Sequence, residues 1–187
     1  MKKVIAVIAM SAAVAYSPFA FPQQGFIELG IGQSKIDIDD VPGASVDDKD
    51  TTWAISGGWM FHPMIGAEIG YRDLGEASAT ATGPAGTARA TAEVDGFMLG
   101  ALGRIPVGPQ GLEIVPRVGL YLWDAKGTIT LNGVPVDSLD DDGSDIYFGL
   151  GVQYAFTRQL HVGAHWARFD VDGDDIDVFE LKIGFRF

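Results

Sequence analysis

The chain has 187 residues, no cysteine and a formal net charge of −12. That length fits one domain of ordinary size. The acidity argues against nucleic acid as a partner, and the missing cysteines exclude a disulfide-stapled exported scaffold. Glycine, at 25 residues, is nearly twice the usual ~7%.

Lys2 and Lys3 precede an apolar run, Val4 to Ala15, and small residues follow. A basic start, a short hydrophobic stretch and a small-residue site make a secretory signal peptide. Cleavage after Ala15 or after Ala20 fits. Ala20 is preferred because strand-like sequence begins almost at once, which divides the chain into a signal at 1–20 and one domain at 21–187. Loss of the two lysines takes the charge from −12 to −14.

Period-two alternation puts successive side chains on opposite faces of a strand. Eight segments show it. The first sets Ile27, Leu29 and Ile31 against Glu28, Gly30 and Gly32. The second sets Trp53, Ile55, Gly57, Trp59 and Phe61 against Ala54, Ser56, Gly58 and Met60. A turn at His62-Pro63 leads to the third, Ile65, Ala67, Ile69 and Tyr71 against Gly66, Glu68, Gly70 and Arg72. The fourth, Val94 to Ile105, has no fixed register, because Phe97-Met98-Leu99 is apolar on both faces.

After a turn at Val107–Gly111, the fifth opposes Leu112, Ile114, Val118, Leu120 and Leu122 to Glu113, Arg117, Gly119 and Tyr121. Pro116 removes a ladder donor there, which predicts a bulge or a place near a sheet rim. The sixth sets Ile146, Phe148, Leu150, Val152, Tyr154 and Phe156 against Tyr147, Gly149, Gly151 and Gln153. The seventh sets Leu160, Val162, Ala164 and Trp166 against His161, Gly163, His165 and Ala167. The eighth ends the chain, with Phe179, Leu181, Ile183, Phe185 and Phe187 opposite Glu180, Lys182, Gly184 and Arg186.

The connections alternate as well. Those at 39–50, 76–92, 126–143 and 170–175 are long, and the three between them are tight turns. Long loops on one side and short turns on the other, with strands of ~9–11 residues, match an antiparallel barrel crossing a membrane. Asn132-Gly133 reads as a type I′ hairpin, and the threonines around Gly83–Gly86 suggest another, so strands continue beyond the membrane.

A soluble barrel would point its large apolar residues inward. Here they share one face, while the other is small or charged. Small residues leave room inside an eight-stranded barrel for a few long side chains. Glu28, Glu68, Arg72, Glu113, Arg117, Glu180, Lys182 and Arg186 carry both signs and can pair across a lumen, as buried charges must. Trp59, Phe61, Tyr154, Phe156, Phe185 and Phe187 fall near the short-turn ends; Trp53, Tyr71 and Trp166 fall near the long-loop ends. Two aromatic girdles are expected at two interfaces. The expected fold is therefore an all-β, eight-stranded, up-and-down transmembrane barrel in the outer membrane, with a side-chain-filled lumen.

The terminal alternation closing on Phe187 resembles the last strand of a bacterial outer-membrane barrel. By that resemblance Phe179, Leu181, Ile183, Phe185 and Phe187 form the signal read by the barrel-assembly machinery. The stretches AISGGWMFHPMIGAEIGYRDLG (54–75), PRVGLYLWDA (116–125) and GLGVQYAFT (149–157) resemble the transmembrane domain of the OmpA family. The resemblance implies roles in envelope integrity, adhesion or slow solute passage. OmpA itself carries a periplasmic peptidoglycan-binding domain after its barrel, so tethering to the cell wall is not implied for a sequence whose last strand is its last segment. The family's lumenal gate pairs an acid with a base. Glu68 matches the acid, Gly163 stands at the basic position and Gln153 at the second acid, so a Glu68–Arg117 or Glu68–Arg72 pair is the expected substitute.

His161 and His165 share the lumenal face, too extended to close on one metal easily, and read as polar filling. A lipid A deacylase or surface protease would need a histidine with a serine or acid near the outer rim; none is placed there. Asp170-Val171-Asp172-Gly173-Asp174 lacks the spacing and closing glutamate of a calcium loop. The aspartate-rich loops read as a solvated acidic rim, with weak divalent-cation bridging to lipopolysaccharide phosphates as the sharper alternative. The expected role is structural and surface-interacting, without cofactor or catalysis, in a monomer whose partners are outer-membrane lipid and lipopolysaccharide. A narrow solute channel and a lipid A-modifying enzyme are the rivals.

Overall fold

The computed structural model describes residues 24–36, 44–47, 49–83, 86–108 and 111–187. The signal segment and its cleavage site lie outside the described residues.

Ten strands are present among them: β1 (Gln24–Ile36), β2 (Ala44–Asp47), β3 (Lys49–His62), β4 (Ile65–Gly83), β5 (Gly86–Gly103), β6 (Ile105–Val107), β7 (Leu112–Leu131), β8 (Val134–Ala155), β9 (Leu160–Val171) and β10 (Asp174–Arg186). Eight of them, β1, β3, β4, β5, β7, β8, β9 and β10, form a closed antiparallel ring. Closure comes from β1 on β10, with Phe26 opposite Arg186 and Ile36 opposite Ile176. A closed ladder leaves no unpaired strand edge in hydrocarbon, the condition for strands to span a membrane. The short strand β2 adds to the far end of β4, and β6 continues β5 along β7.

The two faces of the wall are sorted by alternation. Leu181 is 67% exposed and Glu180 5%, although they are neighbours on β10. Ile27, Leu29 and Ile31 face out on β1, as do Phe148, Leu150 and Val152 on β8. The fourth barrel strand resolves the same way: Phe97 and Leu99 point out and Met98 points in, with Phe97 opposite Tyr71.

Pro116 carries no bulge. It sits near the short-turn rim, where the β5–β7 ladder lapses between Leu102–Arg117 and Ile105–Ile114 and resumes in the same register. Proline offers no N–H at that point. The bulges fall instead between Met60 and His62, Asp73 and Glu76, and Ile129 and Thr130.

Much of the stretches read as the loops 76–92 and 126–143 is strand. β4 and β5 pair from Ile65–Gly103 to Gly83–Gly86, and β7 and β8 pair to Leu131–Val134. Asn132 and Gly133, at φ 51° and 80°, make the two-residue turn in the left-handed region. Asp172 and Gly173, at 54° and 88°, do the same between β9 and β10. Asp170 Oδ1 accepts a hydrogen bond from Gly173 N–H at 3.0 Å, so the aspartate-rich 170–174 segment is a tight hairpin turn.

Candidate functional site

Strand alternation delivers charged side chains into the middle of the lumen from four strands, β1, β4, β7 and β10. Arg117 of β7 donates Nη2 to Glu28 Oε2 of β1 at 2.6 Å and Nη1 to Glu68 of β4. Glu68 Oε1 also accepts from the Tyr147 hydroxyl of β8 at 3.0 Å. Arg72 of β4 reaches across to β10, where its Nη2 contacts Glu180 Oε1 and Oε2 at 2.7 and 2.8 Å. Lys182 Nζ lies 3.3 Å from Glu180 and 3.9 Å from Glu28.

Three carboxylates therefore meet three cations, all of them buried. Charge-assisted bonds with good geometry offset the desolvation that would otherwise forbid such burial. Glycines make the room: a Cβ at Gly30 would strike the Glu180 carboxylate.

Of the two pairs expected for Glu68, Arg117 forms and Arg72 does not, because Arg72 is committed to Glu180. The eight expected lumenal charges do not make one network. Glu113 and Arg186 form a separate, partly exposed pair at the short-turn mouth, 2.5 Å apart, with Gln153 Nε2 donating to the same carboxylate oxygen. His161, on the lumenal face as expected, is buried with Nε2 3.0 Å from Glu28 Oε1, so this polar filling also partners the charges. Two neighbours of the charges were not singled out in the sequence. Thr52 Oγ1 lies 3.4 Å from Arg72 Nη1. Arg104, 4% exposed, holds its guanidinium 4.7 Å from the Phe26 ring. The flanking break Gly103-Arg104-Ile105 hid its parity.

Apolar clusters lie on both sides of the charges. Phe26, Met60, Leu102 and Val115 pack toward the short-turn end. Toward the long-loop end Leu74, Val94, Tyr121, Trp123, Phe169, Val171, Ile176 and Val178 form a larger cluster. Tyr121 and Tyr147 rings sit 5.0 and 5.3 Å from Phe169, and Arg72 lies 5.0 Å from the same ring. Periodicity could have found Phe169, Ile176 and Val178, since they continue the inward parity of Ala167 and Glu180.

On the outer wall, Trp53–Tyr71 and Tyr71–Phe97 ring pairs at 5.5 and 5.4 Å mark one girdle, with Trp166 against Phe148. Tyr154–Phe156 at 5.0 Å belongs to the other, beside exposed Phe61 and Phe187. Phe179, Leu181, Ile183, Phe185 and Phe187 form one continuous exposed stripe on the terminal strand.

A closed ring with a greasy outside, two aromatic girdles and a charged inside is a membrane-spanning β-barrel. The chain belongs to the outer membrane protein beta-barrel domain family, whose model matches residues 4–187. It is 28% identical over 141 residues to outer membrane protein A of Klebsiella pneumoniae; the match takes in 70% of this chain and 39% of that protein's length. In structure it is similar to Ail, the attachment invasion locus protein of Yersinia pestis (TM-score 0.61, 15% identity, covering 89% of this chain and all of that one). It is also similar to OprG of Pseudomonas aeruginosa (TM-score 0.54, 15% identity, 87% and 95% covered). The protein is accordingly an OmpA-like barrel of the bacterial outer membrane.

Proposed function

We propose that the protein is a structural and surface-interaction component of the outer membrane, without catalytic activity. The observation that carries this reading is the filled lumen, with paired charges between two apolar clusters. Such an interior favours a rigid scaffold that holds its outer strands above the bilayer over an open path for solutes. Catalysis lacks support because the lumenal histidines are buried and His62 lies exposed at the end of β3. Ail has been crystallised with the heparin analogue sucrose octasulfate; the exposed Asp137 and Asp140–Asp142 here disfavour a polyanion as ligand.

The barrel domain follows cleavage after Ala20, and the stripe from Phe179 to Phe187 serves the assembly machinery. The mature chain is a monomer embedded among lipopolysaccharide, and its acidic rim is a solvated surface, with weak divalent-cation bridging to lipid phosphates as the alternative.

Deletion, with envelope leakage, surface attachment and lipid A composition measured together, tests the role. A detergent-sensitive envelope or lost attachment with unchanged lipid A is expected. Altered lipid A acylation would overturn the reading in favour of an enzyme. In a planar bilayer the purified barrel should give at most small, brief openings; large, stable conductance would replace the scaffold by a channel.

A further inference from the structure

Beyond the bilayer the ring opens into a projecting sheet. β9 and β10 meet at Asp172-Gly173, while β4, β5, β7 and β8 run on. Register fixes what this projection shows on each side. Ala77, Ala79 and Ala81 lie opposite Ala92, Ala90 and Ala88, and the β5 alanines lie opposite Gly127, Ile129 and Leu131. Residues directly opposite share a face, and this one continues the lumenal face through Val94. The other side carries Ser78, Thr80, Thr91, Glu93 and Thr128.

The lumenal-side face thus forms an apolar floor that is open over β5 and β7: Ala88, Ala90 and Ala92 are exposed, as are Ile129 at 37% and Leu131 at 43%, while on β4 Ala77 is buried and Ala79 half-buried. On β8 the same face carries Leu139, 64% exposed, between Asp137 and Asp141.

We propose that this floor seats a cationic amphipathic helix of another molecule, apolar side down on the alanines, with its cations against the β8 aspartates. This rests on the surface-interaction reading and names the partner's chemistry. The dimensions agree. Between β2, which pairs with β4 from Ala44 to Asp47, and β8, the three strands β4, β5 and β7 at ~4.8 Å spacing give a floor about 10 Å wide, and the exposed run from Ala88 to Ala92 is about 13 Å long. A helix is about 10–12 Å across, and small side chains let it lie close. Charge selects the occupant. Asp137 and Asp141 sit on the floor's flank, so a second copy of this acidic chain would bring like charges together, whereas a cationic helix complements them. Strand addition along β8 is opposed by Pro135, which lacks an N–H, and by charged Asp140 and Asp142 on that edge.

The probe is a synthetic peptide of about 14 residues, helical, leucine and alanine on one face and lysine on the other, titrated against the refolded barrel in detergent micelles. Ala90→Glu places a charge on the floor, and Thr80→Glu places the same charge on the opposite face. Both variants must keep the heat-dependent gel shift of the folded barrel. Saturable binding is expected, weakened roughly tenfold by Ala90→Glu and by Asp137→Asn with Asp141→Asn, and within about twofold of wild type for Thr80→Glu. Should Ala79→Glu be needed because Ala90→Glu fails to fold, the same loss is expected. No saturable binding, equal binding by the floor variants, or an equal loss from Thr80→Glu would overturn the proposal. Lost cell-surface attachment on deletion combined with no peptide binding would sink this inference alone; binding with attachment and envelope integrity unchanged on deletion would sink the broader role alone.

Discussion

Strand β10 sorts its residues one way near the bilayer and the opposite way beyond it. From Glu180 to Arg186 charges point in and Leu181, Ile183 and Phe185 point out; at the outer end Ile176 and Val178 point in, and Asp177 points out. β9 does the same, with His161 and His165 inward below, Phe169 and Val171 inward above, and Arg168 turned outward. Nothing in the backbone changes between the two zones. The solvent outside the wall does. Where lipid lies outside, apolar side chains gain nothing by turning in, so the lumen takes the charges. Where water lies outside, the ordinary rule returns and the interior becomes a hydrophobic core. One ring of strands therefore carries a charged middle between apolar ends, and on β10 the boundary with the outer core runs between Val178 and Glu180.

The strongest way to break this contrast is to strand charge in the lower zone. Arg117→Met removes the cation shared by Glu28 and Glu68 and leaves two buried carboxylates short of a partner. The expected loss is about 3–5 kcal/mol, read from urea unfolding in phospholipid vesicles. Adding Glu28→Gln and Glu68→Gln should recover much of it. If Arg117→Met alone costs under about 1 kcal/mol, the charges are not what fills that zone.

A second substitution compares the zones directly. Leu150, 52% exposed on the lipid face, should cost about 2–4 kcal/mol when replaced by arginine. Leu139 is more exposed, at 64%, and lies in the water-facing projection of the same strand. There Leu139→Arg should stay within about 0.5 kcal/mol. Equal effects at the two positions, in the same vesicle unfolding assay, would place them in the same solvent and abolish the boundary.

The sequence was legible where contrast along a strand is strong. Alternating Leu181/Lys182 or Leu29/Glu28 leaves no doubt about faces, and seven such segments, with an eighth of open register, lead to the ring. Legibility fell where the contrast weakens or inverts. Alternation of alanine with serine and threonine from Ala77 to Thr82 carries little hydrophobic signal, so only the threonines around the turn pointed to strand inside what otherwise reads as a long loop. Phe97-Met98-Leu99 defeats a two-letter pattern, because a lumen filled partly by apolar groups accepts Met98 as readily as lipid accepts its neighbours. Val178 and Ile176 failed for a different reason: the rule that large apolar residues face out stops holding at the bilayer surface. Partner choice was readable only down to two candidates, since which cation meets Glu68 depends on lumen-crossing geometry. Both Arg72 and Arg117 had the right face, and Glu180 across the lumen decided between them.

The smallest expected effect lies just beyond the boundary and has a defined pH dependence. Asp177 faces water, and Arg168 donates Nε and Nη2 to its two carboxylate oxygens at 2.8 and 2.7 Å. Those hydrogen bonds from Arg168 hold the Asp177 carboxyl below its usual pKa, against a smaller opposing effect of partial burial. A carboxylate depressed in the folded state stabilises it fully above the unfolded value of ~3.9, and the contribution is lost as pH falls through the lowered folded value. The pair is partly exposed to water, so it is worth only about 0.2–1 kcal/mol and is screened by salt. Asp177→Asn should therefore destabilise by a few tenths of a kcal/mol at pH 7 and low salt. That difference should shrink in strong salt and vanish in acid below the lowered value. In the lipid-facing zone, by contrast, the Arg117→Met loss should persist in strong salt, because ions do not reach a buried pair. A salt-independent Asp177→Asn effect would move this pair out of water and shift the boundary outward past residue 177.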